Sequence, residues 1–472
     1  MSEEGRDTPI GDDAARKRAL FTPPKPPTRA MEMSALARWR AARRSIFDAL
    51  KPTLYRAWLA ELKTPFRNSY FVNDPSILKV ALHQRPDDFP KANSIRASLH
   101  DLLGEAVFLT NGEAWHRQRR MIDPAFEGGR LRDTFPAMVA AAESCADRLA
   151  ARADGTPVEM EFETSYFAAD VIFRTLFSEP IETGDAQEIF TAFRRYQQTA
   201  PILNALDLMN APRWIPRPRR RQIRREAQTI RALLRRYVDR RAAEIAAGTA
   251  PDDLATKIMT TTDPVTGDRF TAEEMLDQVA IFFLAGHETS ASALGWAVYL
   301  LASDKHTQAR AAAEVGAISP PPEFGDIRRL AFTRDVYRET LRLYPPVPMM
   351  VRETARKENF RNRKVAKGSI FIMSPWHLHR HERLWSDGDV FDPDRWARAD
   401  EADSRRDAYM PFSAGPRVCS GAGFAMLEGV LFLATILRRF ELSPVADRQP
   451  APITQLTVRS ETGIWLSLTP RR

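Results

Sequence analysis

The sequence predicts a mainly α-helical fold with a small β portion. Three observations carry this. Apolar residues recur at helical spacing over 136–152, 185–199, 223–247, 271–302 and 424–439. One of these segments, 271–302, opens on a complete helix-start signal and is long enough to cross a large domain. The strand-type signals are few and short: Tyr70-Phe71-Val72, Ile370-Phe371-Ile372-Met373, and a C-terminal stretch from Leu456.

Taken in chain order, residues 1–30 mix charges with Pro23, Pro24, Pro26 and Pro27 and show little apolar patterning, so they read as a mobile or extended arm. Residues 31–472 contain no repeat and no low-complexity linker and read as a single domain. The Ala-rich run from Ala137 to Ala151 is helical, with Cys145 as a small buried apolar residue. In 223–247 the apolar stripe is Ile223, Ala227, Ile230, Leu234, Val238 and Ile245, with arginines opposite. The central helix is announced by Thr271 and Glu274 as a capping box, with Phe270 and Met275 as the hydrophobic staple around it. At 1.5 Å per residue it spans ~45–50 Å. A membrane-spanning reading of 279–302 meets His287 and Glu288 near its centre, where charge is costly. Ser460-Glu461-Thr462-Gly463 reads as a hairpin turn before Ile464-Trp465-Leu466.

Lys and Arg total 69 against 61 Asp and Glu, a net charge of +8. The arginines are densest over 213–241. A basic stripe is the usual footprint of nucleic-acid binding, but the excess is modest and no nucleic-acid module is present. Trp214-Ile215-Pro216 beside those arginines can touch a membrane surface, or can cap a solvated helix face. No apolar run near the N-terminus has the length of a signal peptide or membrane anchor. Two cysteines leave no disulfide framework, which fits a reducing cytoplasm.

Four segments carry chemistry. In Phe412-Ser413-Ala414-Gly415-Pro416-Arg417-Val418-Cys419-Ser420-Gly421, a lone cysteine sits in a frame of Phe, Gly, Arg and Gly. Backbone N–H groups, a positive charge and a covering ring stabilise and shield a metal-ligating thiolate. Gly415 and Gly421 let backbone approach a flat cofactor, and Arg417 reaches an anionic group on it. In Ala285-Gly286-His287-Glu288-Thr289, Ala285 and Thr289 share a helix face, Gly286 leaves room for a ligand or a bend, and a hydroxyl beside a carboxylate can relay protons. Glu339 and Arg342 are spaced for an ion pair on a helix that ends at Pro345-Pro346. Trp115 and Arg119 stand one turn apart, an indole and a guanidinium suited to a carboxylate. His377, His379 and His381 alternate and on a strand would share a face as zinc ligands do, yet no further residue is spaced to complete that site.

The first pattern, F-x-x-G-x-R-x-C-x-G, resembles the haem-binding signature of the cytochrome P-450 monooxygenases. The others resemble that family's A-G-x-E-T, E-x-x-R and W-x-x-x-R motifs, in the family's order over residues 115–421. The resemblance implies a cytochrome P-450 fold, a single triangular haem domain with the long helix across the haem. It implies Cys419 as the thiolate ligand of a haem b iron, framed by Phe412, Gly415, Arg417 and Gly421. Trp115, Arg119, Arg352 and Arg417 would hold the haem propionates, with Ala285 over the ring. Glu288 and Thr289 would deliver protons to bound O2, and Glu339, Arg342 and Arg395 would lock the cysteine loop. The implied substrate pocket is Leu99, Leu102, Val107, Phe108, Ile281, Phe282, Ala285, Val347, Met349 and Thr462.

The activity so implied is insertion of one oxygen atom from O2 into a hydrophobic small molecule, by C–H hydroxylation or epoxidation. Electrons would come from NAD(P)H through a separate ferredoxin or flavodoxin, because no reductase follows Cys419. Arg117 and Arg120 would help that donor dock. The expected form is a monomeric, cytoplasmic, bacterial-type member without a transmembrane anchor and without nucleic acid as partner. Two alternatives stand beside it: a peroxygenase or isomerase on the same fold, and a non-catalytic haem-binding sensor. The intact Glu288-Thr289 pair opposes the first. The lack of an output domain opposes the second.

Overall fold

The computed structural model describes residues 20–26, 37, 41–42, 44–63, 67–199 and 220–471. Expectations placed on most of the N-terminal arm and on Trp214-Ile215-Pro216 lie outside the described residues. In chain order, β1 (Leu59–Lys63) and β2 (Asn68–Val72) lead into a short α1 (Pro75–Lys79), then α2 (Asn93–Leu103), α3 (Gly112–Ile122) and α4 (Gly128–Ala150). The short β3 (Pro157–Glu159) precedes α5 (Met160–Phe177), α6 (Gly184–Thr199), α7 (Arg220–Ala247) and α8 (Leu254–Thr260). The long α9 (Ala272–Ser303) follows, then α10 (Lys305–Gly316) and α11 (Ala331–Leu343). Next come β4 (Met350–Glu353), β5 (Glu358–Phe360), β6 (Arg363–Val365) and β7 (Ile370–Met373), then α12 (Pro375–Leu378), α13 (Ala402–Ala408) and α14 (Ala422–Arg439). The last elements are β8 (Phe440–Pro444), β9 (Pro452–Thr454), β10 (Val458–Ser460) and β11 (Trp465–Pro470).

The helix α9 organises the rest. Its capping box forms as the sequence predicts: Glu274 N–H donates to Thr271 Oγ1 and Thr271 N–H donates back to Glu274 Oε2. Phe270 and Met275, the two halves of the staple, are both buried. Nearly every position from Met275 to Ala302 is buried on all sides, as expected for a helix that runs through a core rather than over it. No described helix is long and apolar enough to cross a membrane.

Helix α5 lies against α9 at close range. Thr164 Oγ1 donates to Ala291 O across the interface at 3.1 Å. A Cβ on Gly286 would stand 2.4 Å from Ile172 Cδ1 of α5. Gly286 therefore makes room for a neighbouring helix, not for a ligand or a bend. Helix α14 packs on the opposite flank, where Ser290 donates to the buried carboxyl of Glu428.

The largest sheet has four strands in the order β1-β2-β7-β4, with β2 and β7 parallel and the outer pairs antiparallel. The order places Tyr70–Val72 beside Phe371–Met373, so the two strand signals of the sequence pair directly. A second sheet, β3-β11-β8, joins residues 157–159 to the C-terminal strand.

Two expectations are corrected here. Residues 460–463 do not join a hairpin: β10 pairs with β9, while β11 pairs with β3 and β8. The real hairpin is β9–β10, with its tip at Gln455-Leu456-Thr457. Helix α4 starts at Gly128 and carries Pro136 inside it. Phe135 and Met138, on either side of the proline, are buried, and that packing outweighs the one backbone bond the proline forfeits. The described part of the arm, residues 20–26, is extended and docked. Phe21 O accepts from Phe391 N at 2.9 Å, and Tyr344 Oη donates to Pro24 O at 2.5 Å. Pro23 and Pro26 are buried. An extended proline-rich segment has little entropy left to lose, so docking it is cheap.

Glu428 gives the fold a measurable signature. Burial pushes its carboxyl up to about 8, only partly opposed by the Ser290 hydroxyl. In the unfolded chain a glutamate titrates near ~4.3. A raised folded value means its contribution to stability is complete below about pH 4 and is lost as pH rises through about 8. Glu428→Gln keeps the shape and removes the charge. Wild type is expected to lose on the order of 2–5 kcal/mol relative to Glu428→Gln between pH 5 and pH 9, read from urea unfolding. Parallel pH profiles for the two proteins contradict this.

Candidate active site

The cysteine loop is built by its own backbone. Cys419 N–H donates to Phe412 O at 2.9 Å, Val418 N–H to Gly415 O at 3.0 Å, and Ser413 N–H to Met410 O at 3.2 Å. The turn requires a positive φ at Ser413 (64°) and at Gly415 (68°). At Gly415 a Cβ would also stand 1.9 Å from Leu82 O. That glycine is fixed by the turn and by the neighbouring chain, not by a cofactor. Gly421 has an ordinary φ, and its Cβ would lie 3.9 Å from Cys419 Sγ. Its contribution is its N–H, which bonds the sulfur.

The Cys419 side chain is accessible to solvent although protein atoms crowd it on most sides. Burial pushes its thiol up, while the Gly421 N–H and the Arg119 guanidinium pull it down. Both opposing groups are what a bound thiolate needs.

The loop is held by a buried carboxylate. Glu339 Oε1 accepts from Arg342 Nη2 (2.8 Å), Arg395 Nε (2.9 Å) and Asp392 N (3.0 Å), and Oε2 accepts from Arg342 Nε (2.9 Å). The three side chains have at most 1% exposure. Burial would raise the Glu339 carboxyl, but the two guanidiniums outweigh it and hold it low. Arg342 also donates to His379 O, Gly388 O and Val390 O. Arg395 donates to Glu401 at 2.8 Å and to Ser386 O.

His379 extends the chain of bonds: Nδ1–H donates to Arg342 O at 3.0 Å, and Nε2 accepts from Met410 N–H at 2.9 Å, at the base of the cysteine loop. The other two histidines of the alternating trio have different partners. His377 Nδ1 bonds Ser374 Oγ at 2.8 Å, and His381 stacks on Trp58. The segment is helix and turn, so the alternation does not place them on one face, and the zinc reading is withdrawn.

Four cations converge beside the loop. Lys91 Nζ, Arg119 Cζ and Arg417 Cζ lie 5.6, 5.8 and 5.0 Å from the Trp115 ring centroid. Lys91 pairs in a bridge with Arg352. Burial first, then repulsion from Arg352, Arg417 and Arg119, holds the Lys91 ammonium well below its usual value. Burial and Arg417 together lower Arg352 to about 10. Arg352 Nε and Arg417 Nε are buried without a hydrogen-bond partner. Among the described residues, the acidic group against Arg417 is the exposed Asp87, at 3.4 Å. Arg119 donates to Asp123 (2.8 Å) and to Val418 O (2.7 Å), so part of its guanidinium braces the cysteine loop.

The sequence-predicted pocket residues divide into three sets. Ala285 and Phe108 are exposed, Phe108 to 42%, and Val107, Phe282, Val347 and Met349 are half-buried. Phe282 meets Phe126, which also meets Phe424 just after the cysteine loop. Leu99, Leu102 and Ile281 belong to the main core. Thr462 is misassigned: it is exposed in a surface turn, and its hydroxyl donates to Gln449 O. The hairpin tip contributes Leu456 instead, packed on the core beside Pro346, whose carbonyl accepts from Val458 N–H at 3.0 Å.

Thr289 Oγ1 donates to Ala285 O at 2.5 Å, while Glu288 turns the other way and accepts from Thr457 Oγ1 at 3.1 Å. The two residues share a helix turn but make no direct bond. Arg117 pairs with Glu274 and Arg120 with Asp263, so the cations expected to dock a donor are already neutralised.

Several contributors were not visible in the sequence. Asp277 and Gln278 of α9 accept from Glu105 N and Val107 N and clamp the loop before Trp115. Lys91, Thr457, Arg459 and Gln197 act across long sequence separations, and no local pattern marks them. The short apolar-polar runs on both sides of Leu456 were the one available signal for the hairpin tip.

The family model described as cytochrome P-450 matches residues 24–466, and the chain belongs to that family. Cyclooctat-9-en-7-ol 5-monooxygenase of Streptomyces melanosporofaciens is 29% identical over 452 residues, 94% of this chain and 95% of its own. A cytokinin hydroxylase of Arabidopsis thaliana is 29% identical, over 78% of this chain and 72% of its own. Taurochenodeoxycholic 6 alpha-hydroxylase of Sus scrofa is 28% identical, over 85% and 82%. The protein is a haem monooxygenase that hydroxylates small molecules and draws electrons from a redox partner.

The residues present fit a haem. Four crowded cations with two unpartnered buried guanidinium nitrogens call for carboxylates, which the propionates provide. The apolar side chains of Phe108 and Val418, each more than a third exposed, suit the faces of a flat ring.

Glu339→Ala is expected to cost ~3–5 kcal/mol, because it strands two buried guanidiniums. Urea unfolding should show that loss. A variant within about 1 kcal/mol of wild type contradicts the role given to Glu339.

Proposed function

We propose that this protein inserts one oxygen atom from O2 into a C–H bond or an alkene of an apolar small molecule, with Cys419 as the thiolate ligand of a haem b iron. The observation that carries this is the pairing of two features. A cysteine with an N–H bond to its sulfur stands at the end of a loop fixed by Glu339, and four cations without adequate anions gather around Trp115. When bound, the haem supplies the activation of O2 and the cleavage of its O–O bond, favoured by electron density from the thiolate.

The chain's own residues do the rest. Arg352, Arg417, Lys91 and the free edge of Arg119 bind the carboxylates of the cofactor. Trp115 spaces them and shields them from water. Thr289, whose proton is taken by Ala285 O, keeps its oxygen lone pairs available as acceptors. Glu288 is the acid one residue away. Burial raises its carboxyl, with Arg459 the main opposing charge. A carboxyl raised by burial holds its proton more readily than a solvated one, which suits an acid that passes protons on.

The half-buried Val107, Phe282, Val347 and Met349, with Leu456, favour a substrate with few oxygens. The printed names of relatives, such as cyclooctat-9-en-7-ol 5-monooxygenase, support that class. Electrons would come from NAD(P)H through a separate ferredoxin or flavodoxin. We read residues 31–472 as one catalytic unit, extended by the docked segment 20–26, acting as a cytoplasmic monomer.

Thr289→Ala tests the reading. With a surrogate ferredoxin and its reductase, the variant should convert a several-fold larger share of NAD(P)H into hydrogen peroxide, in line with the ~10²-fold or greater effect of general acid–base groups. Cofactor content should be unchanged. A peroxide share equal to wild type would point to the peroxygenase alternative.

A further inference from the structure

Three residues of α9, Glu288, Ser292 and Trp296, are spaced by four and form one stripe. All three bond the β9–β10 hairpin. Ser292 Oγ and Trp296 Nε1 donate to Val458 O at 2.6 and 3.0 Å, and Thr457 Oγ1 donates to Glu288 Oε1 at 3.1 Å. Arg459, two residues beyond Thr457, brings Nε to 3.9 Å from Glu288 Oε1. Its Nη2 donates to Gln197 Oε1 of α6 at 3.3 Å. The side chain of Arg459 is 27% exposed and that of Glu288 only 2%, so the guanidinium stands between the acid and solvent.

We propose that Arg459 is a positioning residue: it supplies the counter-charge of the Glu288 carboxylate and, with Thr457, ties that carboxylate to the hairpin, while Gln197 of α6 holds the guanidinium in place. The proposal rests on the reading of Glu288 as the proton-passing acid and names the group that controls it. The hairpin then has two tasks. Its tip residue Leu456 packs half-buried on the main core, and its next residues hold the acid.

The surroundings of Glu288 support this assignment. Arg459 is the charged group that opposes the burial of the carboxyl, and Thr457 is its hydrogen-bond donor. Tyr196 of α6 also faces it, as a neutral phenol whose own value the Glu288 charge raises. His287 beside it is buried and held down to about 3, so it contributes no positive charge near neutral pH. Glu161 of α5 lies near Arg459 and competes for its charge. Glu288 Oε2 keeps no hydrogen-bond partner in this arrangement. One oxygen is therefore anchored and the other is free to meet a proton.

The test is the titration of Glu288 itself. The infrared band of its protonated carboxyl is assigned by its loss in Glu288→Gln and followed against pH in the haem-loaded wild type, Arg459→Met and Arg459→Lys. Loss of the counter-charge should raise the midpoint by about one unit or more in Arg459→Met, and Arg459→Lys should restore most of it. Arg459→Gln serves as the second variant if Arg459→Met folds poorly. The peroxide share with the surrogate donor should rise in Arg459→Met with the same upward shift of its acid limb. An unchanged midpoint in both neutral variants overturns the proposal. A shifted midpoint combined with a Glu288→Gln variant that couples normally leaves Arg459 as the partner of Glu288, but overturns the proton-delivery reading on which the proposal rests.

Discussion

A carboxylate stays ionised in a protein interior only if cations and hydrogen bonds replace the water it has lost. Glu339 meets that condition with Arg342, Arg395 and the Asp392 N–H, and in doing so ties helix α11 to the segment 392–395. Arg342 reads the carbonyls of 379, 388 and 390. Arg395 reads Glu401 and the carbonyls near 386. His379 passes the constraint to Met410 N–H, from which the cysteine loop springs. No single bond here is unusually strong. Their effect is geometric, because each donor is committed and the loop has no second arrangement that satisfies them all. The position of Cys419 follows from this.

The opposite imbalance defines the binding side. Around Trp115 the cations outnumber the anions, and Lys91 and Arg352 are both held below their usual values. Folding has concentrated charge that it does not neutralise internally. Such a cluster is unfavourable in the protein alone and becomes favourable when a dianionic group enters. The same element order places α3 against the cysteine loop through Arg119 and Val418 O, and so joins the Trp115 cations to that loop.

Much of this was legible from residue order. The central helix, its capping box and staple, the helical segments and the two sheet strands fall where local pattern puts them, because each depends on neighbours within one or two turns. Glu339 and Arg342 were legible as a pair for the same reason. Three site details were not. Gly415 and Gly286 were read as making way for a ligand, yet Leu82 O and Ile172 fill those spaces. Thr462 was assigned to the pocket because the turn at 460–463 resembled a hairpin, whereas strand pairing put the tip at Leu456. Lys91, Arg459 and Gln197 reach their partners across sequence separations that no periodicity records.

The central claim is that Cys419 is the thiolate ligand of a haem iron, held there by the Glu339 network and the Trp115 cations. It is tested most directly by the absorption spectrum of the purified protein, reduced with dithionite and then exposed to carbon monoxide. The account predicts a Soret band at the long wavelength diagnostic of a thiolate opposite carbon monoxide, abolished in Cys419→Ala. A band at the position of histidine-ligated haems, or failure to take up haem on reconstitution, would contradict it.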